Sequence, residues 1–285
     1  MKLAILGIVA AFLWAGTCGA ADWHGHLETE QLSPNLRDRG EGLPTSMFGI
    51  YIQKGQFMFY PFFEYYRNHD QEYSPNELGK SLDQDFRGEY SAYEGLIFLG
   101  YGITEWLSVE MEAAYIQAKL KPSSEDPTGL PSEIEETGIG DVEGQIRWRW
   151  AKETASRPEF FSYFETVFPT ADEGSLIGTT DFEFKLGVGI VRGYSWGTMT
   201  ARGAVEYDLA EDAGALGELA IEYLRRINDQ WRIFAGFEGT QDEVEMIPEV
   251  QWHMHRNACL KANSAFGVTS KAADWAPEIG LLLTF

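Results

Sequence analysis

The residues of this sequence that could perform chemistry are mostly carboxylates and guanidinium groups that recur at every second position. The clearest case is the stretch 139–150, where charged or amide side chains alternate with apolar ones. A period of two is typical of a β-strand and places the two sets on opposite faces. Charged groups on one face can pair with each other or attract mobile ions of opposite charge. The polar set is Asp141, Glu143, Gln145, Arg147 and Arg149, and the apolar set is Val142, Gly144, Ile146, Trp148 and Trp150.

Two histidine arrangements could bind a metal ion. His253 and His255 share one strand face, but two ligands without a third hold a metal weakly, so hydrated interior histidines are the favoured interpretation. Asp22, Trp23 and His24 would offer an amino terminus, amide nitrogens and an imidazole to Cu(II) or Ni(II) if the mature chain begins at Asp22. No cofactor is expected.

Residues 1–21 have the features of a secretory signal peptide. Lys2 precedes an apolar run over residues 3–14, and small residues follow up to Ala21. The run is too short to span a membrane, so we expect cleavage after Ala21. Lipid modification of Cys18 is the alternative. Both alternatives place the mature chain in the cell envelope.

The composition excludes some classes of protein. Asp and Glu number 44 against 22 Lys and Arg, a net charge of -22, which argues against a nucleic-acid partner. Beyond the leader, no segment is apolar enough for a membrane-spanning helix. A soluble β-sandwich and a membrane barrel with a polar interior both fit such a chain, and the 14% aromatic content favours the barrel.

From residue 56 onward the alternation recurs in segments of about ten residues, the length that a tilted strand needs to cross a bilayer. Long polar connections over residues 68–88 and 119–138 contrast with tight turns at 103–104, 193–194 and 228–229, as in outer-membrane barrels. The twelve segments are 56–66, 90–101, 106–116, 139–150, 160–168, 181–191, 196–209, 217–227, 231–241, 246–255, 260–269 and 274–285.

The sequence therefore predicts an all-β fold with a closed antiparallel transmembrane β-barrel of about 12 strands over residues 56–285. Long loops are expected on the extracellular side and short turns on the periplasmic side. Residues 22–55 show no sustained alternation and are interpreted as an irregular periplasmic segment or a partial plug.

The last strand decides between the sandwich and the barrel. Its apolar face ends on Phe285, and such a stripe on an open edge strand would invite aggregation unless the sheet closes. A terminal aromatic residue after alternating apolar residues resembles the assembly signal of bacterial outer-membrane β-barrel proteins. The resemblance implies location in the outer membrane of a Gram-negative cell, with membrane lipid and the barrel assembly machinery as partners. The stripe consists of Trp275, Pro277, Ile279, Leu281, Leu283 and Phe285.

The hexapeptide Thr137-Gly138-Ile139-Gly140-Asp141-Val142 leads into the strand described first. It resembles a motif of the barrels described as the MetA-pathway of phenol degradation family, which are thought to be outer-membrane transport proteins. The resemblance implies passage of small molecules, including aromatic ones.

The inward faces of the predicted strands carry the candidate functional residues. Charges crowded in a narrow lumen must pair or stay hydrated, because an isolated buried carboxylate is costly. Unpaired acids among them would attract cations and repel anions. The candidates are Glu64, Glu110, Glu112, Asp141, Glu143, Arg147, Arg149, Glu183, Lys185, Arg202, Glu206, Glu222, Arg232, Glu238, Glu249, His253 and His255.

The sequence favours a channel or transporter for small solutes that passes cations more readily than anions. The alternative is a structural or surface-binding barrel whose lumen is filled by its own side chains. An enzyme is not expected, because a hydrolase would need a serine near His253 or His255 on a lipid-facing surface, and none is present.

Overall fold

The computed structural model describes residues 32–171, 176–179, 181–209, 213–240 and 243–285. The predicted signal peptide and the candidate metal ligands Asp22, Trp23 and His24 lie outside these residues. No helix in the described part of the chain is long and apolar enough to cross a membrane. A short 3-10 helix, Pro34–Leu36, and a small pair of strands, β1 (Leu43–Pro44) and β2 (Tyr51–Ile52), precede the main sheet.

Twelve further strands in the described residues form a closed antiparallel barrel, as the alternation predicts. Each strand pairs with the next along the chain, and the last pairs with the first. The strands are β3 (Phe57–Tyr73), β4 (Phe86–Gly102), β5 (Leu107–Lys121), β6 (Ile134–Ala151), β7 (Glu159–Phe168), β8 (Glu183–Tyr194), β9 (Gly197–Asp208), β10 (Ala213–Arg226), β11 (Trp231–Thr240), β12 (Glu243–His255), β13 (Ala258–Gly267) and β14 (Ala276–Thr284).

The chain terminus closes the barrel at the β14–β3 seam. Glu278 lies opposite Glu64 in this ladder. At the end of this seam that contains the chain terminus, Phe57 and Phe285 exchange two backbone hydrogen bonds of 3.0 and 2.9 Å. The Phe285 side chain is 62% exposed on the outer surface. Closure removes the unpaired edges that would otherwise promote aggregation.

The outer surface is apolar and the inner surface is polar. On β6, Trp148 and Trp150 are 46% and 66% exposed, whereas Arg147 between them is 1% exposed. Tryptophans collect at the end of the barrel that carries the short turns, which we call the periplasmic end, and such belts are typical of membrane interfaces. They are Trp106, Trp148, Trp150, Trp196, Trp231 and Trp252.

Several strands are longer than the ten residues expected. β3 has 17 residues and β6 has 18, so the predicted loops 68–88 and 119–138 shrink to residues 74–85 and 122–133. Cross-strand ion pairs line these extensions at the extracellular end, such as Arg87 to Glu72 at 3.1 Å and Lys119 to Glu135 at 2.8 Å. Their alternation is polar on both faces, so the sequence pattern does not reveal them.

The periplasmic half of the interior is partly apolar, unlike the polar lumen that the sequence predicts. Inward-facing side chains of the first two barrel strands and of β13 and β14 pack there against the N-terminal segment, residues 32–55. The cluster is Leu43, Met47, Ile50, Ile52, Met58, Tyr60, Phe62, Leu96, Phe98, Cys259 and Leu282. Apolar residues face inward on β3 because another part of the chain, and not water, covers them.

Candidate functional site in the barrel interior

One side of the lumen carries carboxylates that lie opposite each other. Glu64 faces Glu94 across β3 and β4, and Glu112 faces Glu143 across β5 and β6. Among the described residues no cation lies within ion-pair distance of these four carboxylates. Like charges directly opposite in a sheet destabilise it, so counter-charges or water must reach them. We call Glu64, Glu94, Glu112 and Glu143 the acidic wall.

The other side of the lumen holds carboxylates that are paired with cations. Arg202 contacts Glu218 and lies 2.9 Å from Glu222 and 2.6 Å from Glu238. A register shift in β10 between Leu216 and Leu219 places Glu218 next to Arg202. Two further pairs are Lys185 with Glu165 at 2.8 Å and Lys261 with Glu249 at 3.0 Å. We call Lys185, Arg202, Lys261 and these partner carboxylates the paired wall.

A central cavity of about 190 Å³ lies between the two walls. Carboxylates outnumber cations in its lining, so its potential is negative. Residues 46–48 of the N-terminal segment also border it. The charged lining residues are Glu110, Glu112, Glu143, Glu165, Glu218 and Glu238 against Lys185 and Arg202.

A wider cavity of about 670 Å³ lies toward the extracellular end. The rings of Tyr66 and Tyr90 pack edge to face with centroids 5.6 Å apart and line it together with Glu94 and Glu183. Glu206 lies on β9 opposite Lys185 of β8. Carboxylates beside aromatic faces attract cationic groups.

The N-terminal segment enters the barrel and binds inward-facing polar groups. The Ser46 amide and hydroxyl donate hydrogen bonds of 3.0 and 2.8 Å to Glu110. The Phe48 carbonyl accepts one of 3.0 Å from Gln251. Arg39 lies 2.8 Å from Glu153, and both side chains are 1% exposed. Residues 32–55 therefore occupy the periplasmic half of the lumen.

Arg39 and Tyr51 keep their usual charge states, although their surroundings shift the pKa of each group. The guanidinium of Arg39 lies over the ring of Tyr51, 5.3 Å from its centroid. Burial alone would lower the pKa of Arg39, but its interactions with Tyr51 and neighbouring carboxylates outweigh burial and raise it. Burial raises the pKa of Tyr51, so the phenol stays neutral.

Arg147 and Arg149 are buried and contact protein groups instead of solvent. Arg147 donates two hydrogen bonds to Gln145, of 2.9 and 2.6 Å, and lies 3.5 Å from Glu110. The faces of Phe161 and Tyr163 lie beneath its guanidinium at 5.2 and 5.0 Å. Arg149 lies 3.5 Å from Glu159. These arginines bind the barrel to its N-terminal segment through Glu110 and Glu159.

Asp141 lies at a bulge in β6 and holds an extracellular loop. It accepts hydrogen bonds from the amides of Thr170 and Ala171, at 2.8 and 2.9 Å, and from the Thr179 hydroxyl at 2.9 Å. The sequence places Asp141 among the lumen-lining candidates, and a register shift between Ala113 and Tyr115 lies beside it. Asp141 is thus an anchor for the β7–β8 connection.

This connection folds into the mouth of the barrel. Ile177 packs against Ala92 and Ala118, which face inward from β4 and β5. A side-chain carbon on Gly138 would lie 3.1 Å from Ile177, so the glycine leaves room for the loop. The segment 138–141 therefore lies where this loop packs against the barrel wall at the extracellular end.

The structure places the remaining candidates near the periplasmic end. Arg232 and His253 line a third cavity there. His255 lines the same cavity as His253, and a register shift in β12 lies between the two residues. In the part of the chain that the structure describes, no group of three or more His, Cys, Asp and Glu is arranged to hold a metal ion.

Sequence reasoning missed the side chains that the N-terminal segment contributes. Arg39, Ser46 and Phe48 contact the barrel through an irregular backbone, and no periodicity marks such a segment. The inward loop was also missed, because a loop that packs on its own barrel has the composition of any polar loop. The glycines at 138 and 140 were the only signal that the strand accommodates a neighbour there.

Comparisons with known proteins support the fold. No family model matches the sequence, and no curated protein is detectably similar to it. The structure resembles an outer membrane channel from Pseudomonas putida F1, with 11% sequence identity and a TM-score of 0.60 over 86% of this chain and 100% of that one. It also resembles the translocator domain of the autotransporter NalP from Neisseria meningitidis, with 11% identity and a TM-score of 0.53 over 81% and 89%.

The class of protein follows from these observations. The chain is a twelve-stranded outer-membrane β-barrel, with an apolar outer surface, a charged interior and a sealed seam between its first and last barrel strands. Its location is the outer membrane.

Proposed function

We propose that this barrel is a channel for small solutes that favours cations. The observation that carries the proposal is the acidic wall beside the central cavity. Glu112 and Glu143 line that cavity without a cation in ion-pair distance among the described residues. Rings and rows of unpaired carboxylates attract cations and exclude anions.

The size of the permeant solute follows from the two constrictions. The β7–β8 connection narrows the extracellular mouth, and residues 32–55 fill much of the periplasmic half. The cavities between them have volumes of about 670 and 190 Å³. We therefore expect inorganic cations and small organic cations to pass, with a low conductance that rises when the N-terminal segment is removed.

The alternative function is a structural or surface-binding barrel, and one observation favours it. Ion pairs on the paired wall occupy part of the lumen beside the central cavity, and buried contacts of Arg39, Ser46 and Phe48 fill its periplasmic end. If the N-terminal segment never leaves the lumen, no ion crosses the barrel. The two functions differ in whether current flows at all.

Planar-bilayer recordings separate the two. The full chain is reconstituted and compared with a variant that lacks residues 22–55. Under the channel proposal the full chain conducts and the deletion variant conducts more. Absence of current from both would exclude the channel and favour the structural barrel.

A matched pair of substitutions locates the selectivity. Replacing Glu112 and Glu143 with glutamine should lower the cation preference, because the cavity loses two unpaired charges. Glu125→Gln, in the extracellular loop between β5 and β6, serves as the control and should change selectivity less. Equal effects would place the selectivity outside the lumen.

A further inference from the structure

Three cations form a row across the periplasmic end of the lumen. Arg226 lies opposite Arg232 across β10 and β11, Arg232 lies opposite Gln251, and Gln251 lies opposite Lys261. We call Arg226, Arg232 and Lys261 the basic row. Like charges in directly opposed positions destabilise a sheet, and two of these cations, Arg226 and Arg232, are so placed. The row is unexpected in a chain with a net charge of -22.

The outer two members of the row are neutralised by carboxylates. Arg226 contacts Asp229, and Lys261 lies 3.0 Å from Glu249. The nearby carboxylate of Asp38 accepts a hydrogen bond of 2.9 Å from the Arg226 amide and lies 3.9 Å from Arg225. Among the described residues, none of these carboxylates is within ion-pair distance of Arg232.

Arg232 borders a cavity of about 260 Å³ at the periplasmic end. His253 lines the same cavity and lies 3.3 Å from the Gln251 side-chain oxygen. The exposed side chains of Glu41 and Asp229 also reach its lining. The buried apolar side chains of Ile50, Met58, Cys259 and Leu282 line another part of the cavity.

A ligand that fits this cavity must match both the cationic and the apolar part of its lining. A partly buried guanidinium without a counter-charge is unfavourable, and a carboxylate satisfies it through two parallel hydrogen bonds. The wall formed by Ile50, Met58 and Leu282 would receive the hydrocarbon part of the same molecule. We propose that the cavity binds a small organic carboxylate, with Arg232 as the anion-binding residue.

This site is independent of the cation-favouring path, since it lies on the periplasmic side of the central cavity and consists of different residues. The carboxylate would also relieve the repulsion between Arg226 and Arg232. Binding should therefore stabilise the periplasmic end of the barrel, where the N-terminal segment is seated.

Titration calorimetry on the folded, detergent-solubilised full chain tests the proposal. Three probes are used: hexanoate, its uncharged analogue hexanamide, and inorganic phosphate. Hexanoate should bind to the wild type, hexanamide should not, and phosphate should bind at least tenfold more weakly because it gains nothing from the apolar wall. Equal binding of phosphate and hexanoate, or no binding of hexanoate, would overturn the proposal.

Substitutions at matched arginines identify the residue. Arg232→Gln should weaken hexanoate binding at least tenfold, and Arg232→Lys should weaken it less, because lysine keeps the charge but loses the paired donors. Arg157→Gln removes an exposed arginine from the periplasmic turn between β6 and β7 and should leave binding unchanged. Unchanged binding in both Arg232 variants would assign the anion to another group. Heat-modifiable migration on a gel confirms that each variant is folded.

Discussion

The two walls of the lumen carry the same residue type in opposite electrostatic settings. On the paired wall, three carboxylates share Arg202, whose side chain is 8% exposed. On the acidic wall, Glu112 faces Glu143 and no described cation pairs with either. A buried carboxylate needs a partner or water, so the first arrangement stiffens the barrel and the second keeps a hydrated surface. The difference shows that inward acids divide into groups with and without a cation partner, and that this division does not follow their position along a strand.

Removing the cation of the paired wall should have the largest effect on stability. Arg202→Met leaves Glu218, Glu222 and Glu238 close together without a counter-charge, and loss of one partner of a buried pair costs about 3 to 5 kcal/mol. The free energy of unfolding in urea, measured for the barrel in micelles, should fall by this order. Glu238→Gln is the control and should cost less, because Arg202 keeps two carboxylate partners. A stability equal to that of the wild type would mean that the paired wall is hydrated like the acidic wall.

Removing charge from the acidic wall should have a smaller effect of opposite sign. Glu112→Gln with Glu143→Gln removes a directly opposed pair of like charges, and such pairs contribute about 0.2 to 1 kcal/mol. The free energy of unfolding should therefore rise slightly in the same urea titration. A clear loss of stability would show that these carboxylates have partners, and the contrast between the walls would fail.

The inward loop should affect conductance more than stability. Asp141→Asn removes the negative charge of the group that accepts hydrogen bonds from the Thr170 and Ala171 amides. These hydrogen bonds should weaken, because charge-assisted hydrogen bonds are about twice as strong as neutral ones. We expect larger or more variable single-channel currents in bilayers. Asp181→Asn, at the base of the same loop, is the control. Currents identical to the wild type would show that the loop stays in place without this anchor.

Phe285 lies outside both walls and should influence assembly and lipid contact but not ion selectivity. We propose that it contributes to recognition by the assembly machinery, so its deletion should lower the yield of folded barrel far more than Phe266→Ala does. Ion selectivity of the barrels that do fold should be unchanged. Equal yields of the two variants would remove the terminal aromatic as an assembly signal.

The sequence predicts the features that depend on a period of two. Trp148 and Arg147 fall on opposite surfaces because neighbouring strand residues alternate, and the polar-apolar contrast makes this visible. The loop partners of Asp141 lie beside a bulge in β6, and a bulge leaves no trace in an alternation count. The partners of Glu110 and Glu249 depend on strand register and on the path of residues 32–55. Those are tertiary properties, so sequence reasoning could place these acids inside the barrel but could not divide them between the walls.

The most direct test of the contrast between the walls is the zero-current potential of the full chain in a bilayer with unequal KCl concentrations. If the unpaired carboxylates face the permeation path, potassium crosses more readily than chloride and the dilute side becomes positive. The potential should shrink as salt is raised on both sides at a constant ratio, because screening shortens the reach of the acidic wall to about 3 Å at 1 M. A dilute side that becomes negative would contradict the placement of the acidic wall along the path.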